Sequence, residues 1–257
     1  MSDNGSGKNV IFSIEGNIGA GKTTFLEMLE SELNTDVIAT YRENNGSYSP
    51  PHPSLTVPTR SSRHITFIPE PIDRWRNIDG HNLLDAFYQD PKKNAFIFQV
   101  TAVTTRMMML DEYFRRPEKG VYILERSNAS DMIFATNCHT SGMMTDREFA
   151  VYKHTWGALA RDNMKNLAGV IYLSASPETC FKRANCRGRS EERDIVPDYF
   201  TSLHELHEQQ FASEPGRVTD TDTPVLVIDA ESDFRPNTEG SRKCVEQVMN
   251  FIRALST

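Results

Sequence analysis

The chain has 257 residues, of which 38% are hydrophobic and 25% charged, so it can bury one sizeable α/β core and we expect a single domain over residues 1–257. A formal net charge of −7 at pH 7 argues against a nucleic-acid partner, and no apolar run suggests a membrane partner. The four cysteines show neither a CxxC pattern nor a metal-ligand spacing, which predicts reduced thiols and a cytoplasmic location.

The first motif in chain order is a glycine-rich turn, which follows an expected flexible arm (1–8) and a short apolar strand. The pattern Gly-x-x-x-x-Gly-Lys-Thr runs from Gly16 to Thr23. Glycines let backbone N–H groups turn inward around phosphates, and the next helix points its positive end at the same oxygens. Lys22 can place its charge on the β and γ phosphates, and the Thr23 hydroxyl can bind Mg²⁺. The predicted nucleoside triphosphate site comprises Gly16, Asn17, Ile18, Gly19, Ala20, Gly21, Lys22, Thr23 and Thr24.

The next predicted segments are a helix and, after an insertion, a strand that leads to a carboxylate. Apolar residues at helical spacing predict that the helix ends near Asn34. Residues from about 36 to 63 are rich in proline and polar residues, which predicts a surface insertion. The run His64–Ile68 favours a strand, and it places Glu70 at the carboxyl edge of a sheet, where α/β folds hold their chemistry.

A long amphipathic helix is predicted over residues 92–116, because apolar residues recur there at intervals of three and four. Gln99 and Arg106 lie seven residues apart on it, which is two turns, so their side chains share one face. Both can therefore point into the same groove.

A buried strand follows this helix. The apolar run Val121–Leu124 predicts a parallel strand that delivers Glu125 and Arg126 to the same sheet edge as Glu70. Two carboxylates and an arginine should therefore converge beside the glycine-rich turn.

The rest of the chain continues the alternation of helices and strands. The pattern predicts a doubly wound, three-layer α/β fold of the P-loop type with a five-stranded parallel sheet. The remaining predicted elements are helices around 130–138, 146–166, 177–184 and 241–255, and strands at 169–173 and 224–229.

Two charged stretches in this half need an interpretation. Residues 183–193, hereafter the lid segment, carry charges of alternating sign around Gly188, and their place after the third strand of a P-loop fold predicts a lid that closes over phosphates. The stretch from His204 to His207 lacks the HExxH spacing, so it is interpreted as a helix surface rather than a zinc site.

Taken together, these motifs resemble those of the deoxyribonucleoside kinases, over nearly the whole chain outside the insertion. The resemblance implies transfer of the γ-phosphoryl group of ATP, with Mg²⁺, to the 5′-hydroxyl of a small-molecule deoxynucleoside in salvage, by a homodimer formed through the long apolar helices. The matching motifs are Gly16–Thr23, Glu70-Pro71 with Trp75 five residues on, Phe98-Gln99, Glu125-Arg126-Ser127, and Arg187-Gly188-Arg189 followed by Glu191-Glu192.

The resemblance implies roles at the reaction centre. Glu70 looks like the base that accepts the 5′-hydroxyl proton, and Arg126 looks like the group that orients this carboxylate and the 5′-oxygen. Glu125, with Thr23, looks like the Mg²⁺ holder. The donor-side residues implied are Lys22, Arg183, Arg187 and Arg189, which neutralise phosphoryl charge, and Asp233-Phe234, which pack on the donor base.

The resemblance also implies a nucleoside site. Tyr88 and Glu192 correspond to the pair that holds the sugar 3′-hydroxyl. Phe98 and Phe134 look like the aromatics that stack on the base, and Gln99 like the amide that reads its edge. The full implied site comprises Glu70, Trp75, Tyr88, Phe98, Gln99, Arg106, Arg126, Asp131, Phe134 and Glu192.

The base preference follows from one charged pair. Arg106 and Asp131 match the pair of the deoxycytidine and deoxyguanosine kinases, and an arginine there would crowd a thymine methyl, so deoxycytidine and purine deoxynucleosides are predicted over thymidine. Two alternatives stay open. A thymidylate-type monophosphate kinase would need extra arginines and would find its acceptor phosphate repelled by Glu70. A GTP-binding switch would need a guanine-reading NKxD-like motif, which the sequence lacks.

Overall fold

The computed structural model describes residues 9–33, 55–56, 64–115, 120–160, 167–212, 223–234 and 238–256. The predicted arm (1–8) and most of the predicted insertion (36–63) lie outside these residues. The strands are β1 (Val10–Glu15), β2 (Leu55–Thr56), β3 (His64–Ile68), β4 (Gly120–Glu125), β5 (Leu167–Ser174) and β6 (Val225–Asp229). They form one sheet in the order β2-β3-β4-β1-β5-β6.

The predicted five-stranded parallel sheet is confirmed, with one addition. Strands β3, β4, β1, β5 and β6 pair in parallel, and all six residues of β4 are buried, as expected for a parallel strand that is covered on both faces. The two residues of β2 lie within the predicted insertion and pair antiparallel with β3. They add a short strand at the edge of the sheet.

The predicted helices are present, but several of them end at other residues than predicted. The helix predicted over 146–166 ends at Leu159, and residues 161–166 lie outside the described part. No helix in the described part of the chain is both long and apolar enough to cross a bilayer. The helices are α1 (Lys22–Leu33), α2 (Ile72–Arg76), α3 (Leu83–Gln89), α4 (Pro91–Phe114), α5 (Asn128–Thr140), α6 (Asp146–Leu159), α7 (Pro177–Arg187), α8 (Pro197–Phe211) and α9 (Glu239–Leu255).

The strand order brings the segments that follow several strands together at one point. β1 lies between β4 and β5, so the connections that leave β1 and β4 turn to opposite sides and open a crevice at the carboxyl edge of the sheet. Ile14 is in register with Glu125, and Ile68 is in register with Leu124. The glycine-rich turn after β1, Glu70 after β3 and the end of β4 therefore meet at this crevice.

The interpretation of His204 to His207 as a helix surface was wrong for His207. Its side chain is fully buried in α8, and its Nδ1 donates to the Leu203 carbonyl oxygen over 2.7 Å. Leu203, His207 and Phe211 are spaced by four residues, so they share the inward face of the helix. Burial is the main reason why the pKa of His207 lies well below its usual range, with Arg126 acting in the same direction.

Candidate active site

A cleft of about 490 Å³ lies at the carboxyl edge of the sheet and is lined by the glycine-rich turn, α2 to α4 and the lid segment. Gly16, Asn17 and Ala20 are not part of its lining. Asn17 instead donates from its amide to the Phe200 carbonyl oxygen over 2.9 Å, which ties the turn to α8. The predicted site residues that line the cleft are Ile18, Gly19, Gly21, Lys22, Thr23, Thr24, Glu70, Trp75, Tyr88, Phe98, Gln99, Arg106, Glu125, Arg126, Asp131, Phe134, Arg183, Arg187, Arg189, Glu192, Asp233 and Phe234.

The glycine-rich turn has a backbone that favours glycine. Gly19 and Gly21 have φ angles of 76° and 92°, in the left-handed region. A Cβ atom on Gly19 would lie 2.2 Å from the Cys180 carbonyl oxygen, so no larger residue fits without moving α7. The turn is therefore packed closely against α7.

Lys22 makes the turn suited to an anion. Its Nζ donates to the carbonyl oxygens of Gly16 and Asn17 over 3.0 and 2.7 Å. Burial lowers the pKa of Lys22 to about 7, and the positive charge of Arg126 acts in the same direction. A phosphate chain in the turn would stabilise the ammonium form, so its binding should restore the charge of Lys22.

Oxygen atoms suited to a hard divalent cation lie beside the turn. The Thr23 hydroxyl at the start of α1 donates to Glu125 Oε1 over 2.8 Å, because the register of β1 and β4 brings these residues together. A hydroxyl and a carboxylate fit Mg²⁺, which keeps water and phosphate oxygens as its other ligands. The described residues contain no cluster of three His, Cys, Asp or Glu side chains that could hold a metal ion alone.

Glu70 lies between two arginines. Its Oε1 atom is 3.2 Å from Nε of Arg126 and 3.3 Å from Nη2 of Arg106, and its side chain is 13% exposed. Burial alone would raise the pKa of Glu70, but the guanidinium groups of Arg126 and Arg106 outweigh it and lower the pKa below the usual range. The carboxylate is therefore ionised at neutral pH and available to accept a proton.

Arg126 occupies a strained turn after β4. It is a non-glycine residue with a φ of 65°, and its backbone N–H donates to the Ile14 carbonyl oxygen over 3.0 Å. Its Nη1 donates to the Gly16 carbonyl oxygen over 2.9 Å. The fully buried Glu15 carboxylate accepts from the Ser127 N–H over 2.7 Å and braces the same turn. Glu15 was not among the predicted site residues, although its place as the last residue before the first glycine was a usable signal.

Aromatic side chains form one wall of the cleft. Phe98 stacks on Phe87 at 5.0 Å between ring centroids and meets Trp75 edge-on at 5.5 Å. Tyr88 packs beside Phe87, and burial raises the pKa of the Tyr88 hydroxyl, so it stays protonated. Phe134 lines the cleft from α5, with the Arg126 guanidinium 4.8 Å from its ring centroid.

The polar end of this wall carries the predicted base-reading residues. Arg106 Nε donates to both carboxylate oxygens of Asp131 over 3.1 and 3.0 Å, and both side chains are almost completely buried. Gln99 is also buried, and its amide nitrogen lies 3.7 Å from Cys138 Sγ. The charged pair and the amide predicted from the sequence thus line the same cleft.

The lid segment contributes cations and a carboxylate. The Glu192 carboxylate pairs with Arg187 and with Arg189, the latter over 3.1 Å. Arg183 differs from the other two arginines, because its guanidinium donates to the Ala230 carbonyl oxygen over 2.6 Å and pairs with Asp233 over 3.0 Å. The Arg183 side chain therefore extends from α7 and contacts the loop after β6.

A second ion pair of the lid segment was missed from the sequence. Arg76 at the end of α2 pairs with Glu191 over 2.8 Å, and the Asn82 amide donates to the same carboxylate over 3.4 Å. Nothing in the sequence signals this contact, because 115 residues separate Arg76 from Glu191. Only the packing of the lid segment against α2 and α3 brings them together.

Comparison with known proteins adds to this geometry. A family model described as deoxynucleoside kinase matches residues 56–253. The chain is 31% identical to deoxycytidine kinase 1 of Xenopus laevis, over 95% of this chain and 90% of that protein. It is 31% identical to the deoxycytidine kinase of Homo sapiens, over 95% and 91% of the two chains. It is 29% identical to the mitochondrial thymidine kinase 2 of Homo sapiens, over 87% and 72%.

Proposed function

The chain belongs to the deoxynucleoside kinase family, and on that basis we propose that it transfers the γ-phosphoryl group of ATP to the 5′-hydroxyl of a deoxyribonucleoside. The products are ADP and a deoxynucleoside 5′-monophosphate for nucleotide salvage. One observation supports this proposal above all. The Glu70 carboxylate, held 3.2 Å from Arg126, lines the same cleft as the Lys22 ammonium of the glycine-rich turn.

The reacting groups follow from this arrangement. The 5′-oxygen attacks the γ-phosphorus, the bond from that phosphorus to the β–γ bridging oxygen breaks, and the hydroxyl proton passes to Glu70. A carboxylate of lowered pKa suffices, because the hydroxyl becomes acidic as its oxygen bonds to phosphorus. Arg126, fixed by the Gly16 carbonyl oxygen, orients Glu70 and the attacking oxygen towards the turn.

Charge on the donor is balanced from both sides of the cleft. Lys22 contacts the β and γ phosphates, and Arg187 and Arg189 of the lid segment neutralise the phosphoryl group during transfer. Thr23 and Glu125 would hold Mg²⁺, which supplies positive charge to the phosphate oxygens when it is bound. Each of these side chains lines the same cavity.

The donor base is assigned to the loop after β6. Phe234 packs on Phe25 of α1 at 4.8 Å between ring centroids. Its ring also borders the glycine-rich turn, because a Cβ atom on Gly21 would lie 3.4 Å from it. Arg183 fixes this loop through Asp233 and the Ala230 carbonyl oxygen. We therefore assign Arg183 to positioning the donor-base loop rather than to charge neutralisation.

The acceptor side favours a deoxynucleoside with an amino-substituted base. Tyr88 and Glu192 hold the sugar 3′-hydroxyl, Phe98 and Phe134 stack on the base, and Gln99 reads its edge. Beyond the amide, the buried pair of Arg106 and Asp131 can donate to and accept from a cytosine or purine edge and leaves little room for a thymine methyl. Deoxycytidine and purine deoxynucleosides are therefore the proposed substrates.

A homodimer and a cytoplasmic location complete the proposal. Exposed apolar side chains lie on α4 (Ile97 and Met108) and on α6 (Val151 and Leu159), and these helices pack side by side. Light scattering should give the mass of a dimer, and Met108→Glu should shift it towards that of a monomer; a wild-type monomer at micromolar concentration would contradict this part. The four cysteines are free thiols, in line with a reducing compartment.

The activity is tested with purified protein, ATP and Mg²⁺. The four natural deoxynucleosides, dTMP and dCMP are offered separately, and products are separated by chromatography and identified by mass. We expect deoxynucleoside 5′-monophosphates from deoxynucleosides and no product from dTMP or dCMP. Phosphorylation of the monophosphates alone would support a monophosphate kinase, and nucleotide binding without any transfer would support a switch; either result would overturn the proposal.

A further inference from the structure

The lid segment is tied to the nucleoside side of the cleft by an ion pair that the reaction scheme does not use. Arg76 donates from Nε and Nη2 to the two carboxylate oxygens of Glu191, over 2.8 and 3.2 Å. The Glu191 side chain is 5% exposed, whereas that of Arg76 is 38% exposed. A two-point contact between a guanidinium and a carboxylate fixes orientation as well as distance. It therefore holds the lid segment at a defined angle to α2.

The neighbouring carboxylate faces the other way. Glu192 pairs with Arg187 and Arg189 inside the cleft, whereas Glu191 faces α2. If both carboxylates turned into the cleft, they would repel each other and compete for the same two arginines. Pairing Glu191 with Arg76 therefore leaves Glu192 as the carboxylate that faces the sugar.

The contact reaches two of the helices that carry the aromatic wall of the cleft, α2 and α3. Arg76 directly follows Trp75, which packs edge-on against Phe98. Asn82 caps α3 by accepting from the Asp85 N–H over 3.0 Å, and it also donates to Glu191. The lid segment is thus joined to α2 and to α3 through one carboxylate.

We propose that Arg76 and Glu191 are positioning residues, which seat the lid segment so that Glu192 and the lid arginines meet the acceptor and the phosphates together. This rests on the deoxynucleoside kinase function proposed above. The electrostatics agree: burial would raise the pKa of Glu191, but the hydrogen bonds from Arg76, from the backbone and from Asn82, together with the charge of Arg76, outweigh it and lower the pKa to about 2. Glu191 is therefore charged, and the ion pair intact, throughout the neutral range.

Steady-state kinetics on paired variants test the proposal. Arg76→Gln and Glu191→Gln should each lower kcat/KM for the deoxynucleoside by about tenfold, and the double variant should be no worse than either single one. The ATP affinity of the free enzyme should stay within about twofold, because neither residue touches the glycine-rich turn. Arg74→Gln is the matched control, since Arg74 also lies on α2 but pairs with Glu112 of α4, whose side chain is 46% exposed.

Hydrogen exchange tests the role of the ion pair independently of the enzymatic activity. Peptides that span the lid segment should exchange faster in Arg76→Gln and Glu191→Gln than in Arg74→Gln, while peptides from α1 should not change. If the wild type phosphorylates no deoxynucleoside, the proposed function fails, and the exchange rates still test the ion pair. Single variants that match Arg74→Gln in both measurements, or losses that simply add in the double variant, would overturn the positioning role.

Discussion

Replacing Glu70 with glutamine removes the proposed base while keeping the size and shape of the side chain. The amide cannot accept the hydroxyl proton, so kcat should fall by about 10²–10⁴-fold, which corresponds to about 3–5 kcal/mol in activation free energy. ATP binding should persist, because the Lys22 ammonium and the glycine-rich turn do not depend on Glu70 for a hydrogen bond.

The structure indicates that this substitution lowers the stability of the fold only slightly. Arg106 keeps both carboxylate oxygens of Asp131, and Arg126 keeps the Gly16 carbonyl oxygen, so neither guanidinium is left without a partner. The glutamine carbonyl can also accept from one of them. We therefore expect the free energy of unfolding to fall by only about 1–2 kcal/mol.

Three measurements decide the matter. ADP release gives kcat, calorimetry gives the ATP affinity, and urea unfolding gives the stability of Glu70→Gln beside Glu112→Gln, a surface carboxylate that also pairs with an arginine. If Glu70 is the base, Glu70→Gln loses most of its kcat while its ATP affinity stays nearly unchanged. A kcat within tenfold of the wild type would refute the role of Glu70 as base, and a lost fold would show that its ion pairs are mainly structural.

The other predictions concern the lid, the base and pH. Arg187→Ala and Arg189→Ala should each lower kcat more than deoxynucleoside affinity, measured by turnover and calorimetry; equal losses would mean that they only bind. Thymidine should give the lowest kcat/KM of the four deoxynucleosides, and the highest value for thymidine would overturn the base preference. Because the pKa of His207 lies well below 6.5 in the folded state, the unfolded chain binds the extra proton as pH falls. Going from pH 7 to 5.5 should thus remove about 1 kcal/mol of stability through this group. Urea unfolding should show a smaller pH effect in His207→Gln; an unchanged effect would contradict the shifted pKa.

Much of the site could be predicted because parallel strands bring their carboxyl ends to one edge. Glu70 follows the end of β3 by two residues, and Arg126 directly follows β4. The convergence of parallel strands at their carboxyl ends therefore predicted that both lie beside the glycine-rich turn, without knowledge of any contact. Helical spacing placed Gln99 and Arg106 on one face in the same way, and both line the cleft.

Contacts that depend on packing between distant segments could not be predicted. One example is the ion pair of Arg76 with Glu191, and another is the hydrogen bond from Arg183 to the Ala230 carbonyl oxygen. Each joins segments whose relative position is not encoded in any local sequence pattern. For His207, local composition gave the wrong prediction of burial. A histidine among glutamates indicates a helix surface by composition, yet the four-residue spacing from Leu203 turns its ring into the core.

The proposed reaction depends on where the 5′-oxygen of the acceptor lies, and a crystal structure with deoxycytidine and ADP measures that position directly. We expect the 5′-oxygen within about 2.6–3.2 Å of the Glu70 carboxylate, facing the phosphates across the cleft. A nucleoside whose 5′-oxygen points away from the glycine-rich turn, with Glu70 bonded only to its arginines, would contradict the account.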